Sequence, residues 1–329
     1  IPLSDPILFC IWESHLTFNI LICKSEKPIV RSRNSIRKRP EFIISGQMLL
    51  AGNGDMELLQ IDENKCKKDG LCAAECPTAI IKLKDKESFP RMVPGGDQFC
   101  LICGHCVAVC PHGALNHARV SIEDCPPIKK ELAITEEQTV QFLRSRRSIR
   151  FFKDKLVEKD TIQRLIEIGR YAPTGSNSQL VEWLVLTDPA KIKEMARITV
   201  DWMRSELENN PDSPRASYLP MIIAAWDVGY DAVLRGAPAM VVASTPKEAG
   251  NGMVDLTLAL SYLELAAPSM GMGTCWAGLL QGALLAHPPL KAALGIPEGH
   301  PHHYPMMLGY PKAKYFRLPE RRPPKITWK

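Results

Sequence analysis

The spacing of apolar positions along this chain changes from one region to the next. Near the front, "LLQIDENKC" (58–66) and "GGDQFCLIC" (95–103) each place a short apolar run ahead of a cysteine, which predicts two duplicated strand–loop–helix units. From Thr135 the period becomes helical. Thr135 and Gln138 form a capping box ahead of "VQFLRSRR". A second helix is predicted from Asp160, with Ile162, Leu165, Ile166 and Gly169 on one face, ending by Pro173–Gly175. The short apolar, β-branched runs "EWLVLT" (182–187) and "PAMVVAST" (238–245) predict strands, and "MMLGYP" (306–311) predicts another. Between Met253 and Met270 the pattern is apolar nearly all round, which predicts a central buried helix. Asp255 and Glu264 make that helix too polar to span a membrane. Helices packed around a few strands predict an α+β domain.

A chain of 329 residues with 45% apolar content fits two domains of ordinary size. The first is expected over 56–120 and the second over 137–329, joined by a proline-marked linker, 121–136, that contains "DCPPIKK". Residues 1–55 show no clear period. Their apolar part, Pro6 to Cys23, is interrupted by Glu13, His15 and Asn19, and Asp5 stands where a signal peptide carries Lys or Arg. They are expected to be an extension or a misassigned start with no stable fold. The alternative is a basic docking arm on Arg31, Arg33, Arg37, Lys38 and Arg39. The net charge of +5 demands neither nucleic acid nor membrane, although Lys312–Lys329 carries seven basic residues against Glu320.

Cysteine spacing supplies the first chemistry. Cys100, Cys103, Cys106 and Cys110 are followed by Pro111, and upstream stand Cys66, Asp69, Cys72, Cys76 and Pro77 at the same spacing. C-x2-C-x2-C-x3-C-P is the spacing of bacterial iron–sulfur sites: three thiolates wrap one cluster, and the fourth, ahead of the proline, serves the other. A zinc site needs two C-x2-C knuckles and no Cys-Pro ends. A disulfide framework suits short secreted chains. One 4Fe-4S cluster is therefore expected on Cys76, Cys100, Cys103 and Cys106. The other is expected on Cys66, Cys72 and Cys110, with Asp69 either an oxygen ligand or a spacer that leaves water at the corner. An oxygen donor binds that iron less tightly than a thiolate, so this cluster is 4Fe-4S with one labile iron, or 3Fe-4S. Clusters require reduced thiols, which points to the cytoplasm. Cys10, Cys23, Cys125 and Cys275 are left over as free thiols.

Three pieces of the second half carry further chemistry: Arg146-Arg147-Ser148-Ile149-Arg150, Pro173-Thr174-Gly175-Ser176-Asn177-Ser178-Gln179, and Gly271-Met272-Gly273-Thr274-Cys275-Trp276-Ala277-Gly278. Alone they read as a solvated face, a turn and a helix cap. In this order and spacing they resemble the nitroreductase family of FMN-dependent flavoproteins, over about Glu136 to Lys329. With the two-cluster ferredoxin module in front, the chain is similar to a fused subgroup of that family.

That resemblance implies an α+β sandwich working as an intertwined homodimer with FMN at the subunit interface. It implies that Arg146, Arg147, Ser148 and Arg150 bind the flavin and that Pro173, Ser176, Asn177 and Gln179 meet it from the partner subunit. Ala277 and Gly278 would lie along the N5 edge, and Arg321 and Arg322 on the phosphate. Guanidinium groups are chemically suited to the phosphate and carbonyl edge. The implied function is an oxidoreductase passing electrons from the clusters to FMN and on to a small electrophilic acceptor such as a nitroaromatic or quinone. The donor is ferredoxin or NAD(P)H. No side chain is expected to be catalytic, since flavin N5 carries the chemistry. The alternatives are a reductive dehalogenase-type flavoenzyme and a non-enzymatic electron-transfer module. A Rossmann G-x-G-x-x-G is absent.

Weaker features have plainer readings. His300, His302 and His303 read as loop histidines ahead of "MMLGYP", and Cys275 as a small buried side chain. Trp202 to Trp226, with Tyr218, falls where the resemblance implies a variable segment over the flavin that shapes the substrate; the alternative is that Trp226 and Tyr230 pack a helix.

Overall fold

The computed structural model describes residues 57–329, so the expectations for residues 1–55 fall outside the described residues. The first region is built from very short elements: β1 (Leu59–Ile61), α1 (Leu71–Ala74), β2 (Ile81–Lys82), β3 (Arg91–Met92), α2 (His105–Ala108) and β4 (Leu115–His117). β1 pairs antiparallel with β4 and β2 with β3. Leu59, Ile80, Ile81, Val107 and Leu115 form a small core together with Cys72 and Cys106.

The two cysteine loops repeat residue for residue. Gly70 and Gly104, at φ 75 and 71, turn the chain into α1 and α2, and Lys68 and Ile102 precede them at φ 59 and 53. Left-handed backbone is cheap for the glycines and costly for the β-branched Ile102. The run before Cys100 is not the strand its apolar residues predict. Gly96–Phe99 is a 3-10 turn, and Leu101–Ile102 lies in the cysteine loop, where a positive φ is incompatible with a strand.

The second region opens with α3 (Glu136–Ser145). Its capping box is formed as predicted: Gln138 N–H donates to Thr135 Oγ1 at 3.2 Å, and Thr135 N–H donates to Gln138 Oε1 at 2.9 Å. Then come α4 (Lys159–Gly169), β5 (Glu182–Leu186), α5 (Pro189–Asn209), α6 (Leu219–Asp227), β6 (Ala239–Thr245), α7 (Gly252–Ala266), β7 (Gly273–Trp276), α8 (Gly278–Ala286), α9 (Pro288–Leu294) and β8 (His302–Gly309). β5, β6, β8 and β7 form one antiparallel sheet in that order.

β6 is buried along its whole length and feeds two cores by simple alternation. Ala239, Val241 and Ala243 pack with Leu165 of α4 and Leu256, Leu260 and Leu263 of α7. Met240 and Val242 pack on the other face with Ile192 and Met195 of α5, Leu280 of α8 and Leu290 of α9. Helix–sheet–helix layering makes this an α+β sandwich. Each fully buried leucine adds about 2 kcal/mol. Among the described residues, no helix is long and apolar enough to cross a membrane.

Packing bears on two readings. Trp202 lies in α5, is 9% exposed and belongs to the core beside Met203, and Trp226 of α6 packs against the same core. The histidines are not all in a loop. β8 begins at His302, because its pairing with β6 runs back to Thr245. His300 bonds to Ser244 Oγ at 2.9 Å, and His303 Nδ1 lies 3.4 Å from Gln281 Oε1.

His303 sets an acid limit on the fold. Burial, with Lys291 and His302 nearby, holds its imidazole at about 4 instead of 6.5. The unfolded chain therefore takes up the proton first, and stability present above about pH 6.5 is lost as pH falls towards 4. The expected loss is on the order of 2–3 kcal/mol. In melting curves across this range, His303→Gln should flatten the dependence. An unchanged slope would show that other groups govern it.

Candidate functional site

The cysteine loops line two separate pockets. One is lined by Cys66, Asp69, Cys72 and Cys110. The other is lined by Cys76, Cys100, Cys103 and Cys106. Each ring thus takes one member from the opposite run, just ahead of Pro77 or Pro111. Among the described residues, no three His, Cys, Asp or Glu side chains converge as ligands for a single metal ion. Burial pushes the Cys72 and Cys100 thiols up and Cys106 up to about 11. Such thiols become thiolates only against a strong cation, as iron provides.

Asp69 occupies in the first loop the place of Cys103 in the second. Its Oδ1 accepts the Leu71 N–H at 3.2 Å, and its Oδ2 lies 3.6 Å from His112 Nε2. His117, 1% exposed, is a group that spacing does not flag. Burial lowers its pKa and keeps it neutral, and its Nδ1 accepts the Arg119 N–H at 3.1 Å. The proton therefore sits on Nε2, which donates to Cys100 Sγ at 3.5 Å. A donor on a ligand sulfur favours the reduced cluster. If Cys100 holds a cluster, as its spacing predicts, His117→Phe should lower the potential of that cluster by on the order of 50 mV, the equivalent of about 1 kcal/mol for one electron. Redox titration followed by paramagnetic resonance reads this directly. An unmoved midpoint would deny His117 the role.

In the second region, residues 146–150 run beside β7. Ile149 N–H donates to the Thr274 carbonyl at 2.8 Å, and Ser148 bridges to Thr274. The Ser148 hydroxyl reaches Cys275, whose thiol burial pushes up. Arg146 donates to Glu264 Oε1 at 3.0 Å, and Trp276 Nε1–H donates to Glu264 Oε2 at 3.0 Å. The Arg146 stretch and the Trp276–Gly278 turn are thus held by one buried carboxylate. At Gly278, α8 opens without a side-chain cap, so N–H groups of its first turn lack helical partners. Arg147 is half-buried, while Arg150, Arg321 and Arg322 are exposed, the last two on an extended tail.

The structure does not bring the third piece to these two within one chain. Gly175 N–H donates to Asp255 Oδ1 at 3.0 Å. Asp255 and Glu264 lie nine residues apart on α7, about 13 Å along its axis. Pro173, Ser176 and Gln179 are exposed, and Asn177 is half-buried. Two buried polar atoms at this loop, Ser178 Oγ and Asp255 Oδ2, have no hydrogen-bond partner. Asp255 and Glu264 were findable, because a carboxylate in an otherwise apolar helix must have a partner. His117 had no such signal.

Comparison with known proteins gives two family matches. Residues 143–310, just over half of the chain, match the model described as the nitroreductase family. Residues 58–111 match that of a 4Fe-4S dicluster domain. An Archaeoglobus fulgidus protein named as an NADH dehydrogenase/NAD(P)H nitroreductase is 26% identical over 179 residues, 54% of this chain and 87% of its own length. An NADPH-dependent oxidoreductase of Staphylococcus haemolyticus is 25% identical over 192 residues, 55% of this chain and 68% of its own. Among solved structures, a Bacteroides fragilis nitroreductase with bound FMN is 22% identical at a TM-score of 0.49, covering 59% of this chain and 98% of that one.

Proposed function

The chain belongs to the nitroreductase family, and from that premise we propose that it is an FMN-dependent oxidoreductase. Its iron–sulfur domain collects single electrons for reduction of a small acceptor of the nitroaromatic or quinone class. The observation that carries this reading is the sorting of the two cysteine runs into two crossed rings, joined in one chain to a nitroreductase domain. Cys76, Cys100, Cys103 and Cys106 hold one 4Fe-4S cluster, called cluster II below. Cys66, Cys72 and Cys110, with Asp69 at the fourth corner, hold cluster I, whose oxygen-bound iron is the labile one.

When bound, FMN supplies the two-electron chemistry at the acceptor. The chain's own residues bind and orient it. Arg147, Arg150, Arg321 and Arg322 offer planar donors to phosphate and carbonyl oxygens. Arg146, clamped by Glu264, and Ser148 fix the stretch that carries them. Ala277 and Gly278 bring bare backbone and the open N–H groups of α8 to the ring edge. Pro173, Ser176, Asn177 and Gln179 come from the other protomer of a homodimer. The separation along α7 and the orphaned Ser178 Oγ and Asp255 Oδ2 support that arrangement. So do large apolar side chains that a lone protomer exposes: Tyr171 is 71% exposed, Val254 58%, Phe316 86% and Trp328 88%.

Anaerobic purification with iron, sulfide and flavin counted, followed by reduction with a ferredoxin or with NAD(P)H, tests the proposal. Both cluster types and one flavin per chain are expected, with the clusters reduced before the flavin. Rapid flavin reduction by NAD(P)H while the clusters stay oxidised would overturn the electron route.

A further inference from the structure

Asn177 does something the flavin reading gives it no reason to do. Its side-chain amide donates to the carbonyl of Leu101 at 3.0 Å and to that of Ile102 at 3.1 Å. Both carbonyls lie between Cys100 and Cys103, and Leu101 itself lines the cavity of cluster II. Both amide protons are thus spent on one cluster loop. The matching loop of cluster I, around Lys68, has the same backbone turn, yet the described hydrogen bonds give it no link to residues 173–179.

The junction is held in a costly conformation from both sides. Ser176, Asn177 and Gln179 have φ 52, 54 and 52, and Ile102 across from them has φ 53. Left-handed backbone at a non-glycine residue costs about 1 kcal/mol or more each. It persists only where the surroundings fix it. Gly175 N–H is tied to Asp255 at 3.0 Å, and Gln179 N–H to Thr174 Oγ1 at 3.0 Å. A continuous chain of short bonded contacts therefore runs from α7 through Gly175 and Asn177 to the loop that carries two cluster II ligands.

We propose that Asn177 is a positioning residue that straps cluster II to the flavin loop, making cluster II the exit point for electrons and cluster I the one that feeds it. This rests on the oxidoreductase reading above. A reduced one-electron carrier of the small iron–sulfur protein class supplies the electrons singly. Cluster II is oxidised by one electron each time the flavin gains one; two such events complete the reduction, and solvent supplies the protons. The strap fixes how far and through which bonds each electron passes.

The test injects electrons photochemically into the full holoprotein and follows the loss of flavin absorbance. Asn177→Asp keeps the shape but has no N–H to donate and sets a carboxylate against two carbonyls, and Asn177→Ala removes the group. Both should slow cluster-to-flavin transfer by about tenfold or more, as loosened positioning does. The resonance signals and midpoints of the clusters should not move, which a merely structural role would not predict. Independently, in freeze-quenched parent protein the cluster II resonance signal should decay in step with flavin reduction while that of cluster I lags. Parent-like transfer in Asn177→Asp with flavin bound, or a cluster I signal that decays in step with the flavin while that of cluster II lags, overturns the proposal. If the Asn177 variants shed flavin, the order of decay in the parent protein decides. Parent protein that binds no flavin, or shows no transfer from either cluster, would instead refute the oxidoreductase reading itself.

Discussion

Stripping iron and sulfide from the holoprotein is expected to unfold residues 57–120 while the layered sheet over 143–310 stays folded. Elements of the first region are two to four residues long. Its core has five buried aliphatic side chains plus Cys72 and Cys106, which are cluster ligands in the proposed assignment. A segment of about 60 residues buries too little surface to hold itself together without a metal or a disulfide. Structural metal supplies on the order of 10 kcal/mol in small metal-bound domains, and here that contribution is the larger part of the fold. β6 and β8, by contrast, are buried between two helical layers that contain no iron ligand. Hydrogen exchange read by mass spectrometry should show protection lost over 57–120 and kept in β6 and β8. The 174–179 loop should also loosen, because its Asn177 bonds end on the unfolding segment. Retained protection at Leu59, Ile81 and Leu115 in iron-free protein would show that the apolar core suffices.

Arg146→Met is the point substitution with the largest expected effect. Glu264 has only 8% of its side chain exposed and Arg146 26%, so removing the guanidinium leaves a nearly buried carboxylate with the Trp276 indole as its remaining donor among the described residues. Breaking a buried pair on one side costs about 3–5 kcal/mol. Allowing for the partial exposure of Arg146, about 2–4 kcal/mol is expected, read as a lower melting temperature. Flavin content should fall with it, because Glu264 holds both the 146–150 stretch and the Trp276–Gly278 turn. Arg146→Met combined with Glu264→Gln should recover much of the stability, since an amide can still accept from Trp276 and carries no charge to strand. Flavin retention should recover less. A single variant as stable as the parent would mean that the pair is screened by solvent.

Much of this molecule was legible from local pattern. The cysteine spacing with its two prolines predicted two crossed sets, and the residues of each set line one pocket. Thr135 and Gln138 marked the start of α3, and the β-branched runs marked β5 and β6. Local pattern was weaker where elements are packed from all sides. α5, which runs from Pro189 to Asn209, and α6 were read only as a stretch from Trp202 to Trp226 that shapes the substrate or packs a helix. The start of β8 at His302 was missed because polar residues there are buried by pairing with β6 and not by apolar character.

What the amino-acid order alone decided is whatever depends on neighbours within a few positions: ligand spacing, helix caps, and the alternation that gives β6 two apolar faces. What only the tertiary structure decided is pairing across long stretches of chain. Glu264 closes on Arg146, His117 on Cys100, and Asn177 on Leu101 and Ile102. Each of these needs layers to pack before the partners meet. No periodicity records the result, because a buried donor is satisfied by whichever acceptor the folded layers bring within 3 Å or so of it.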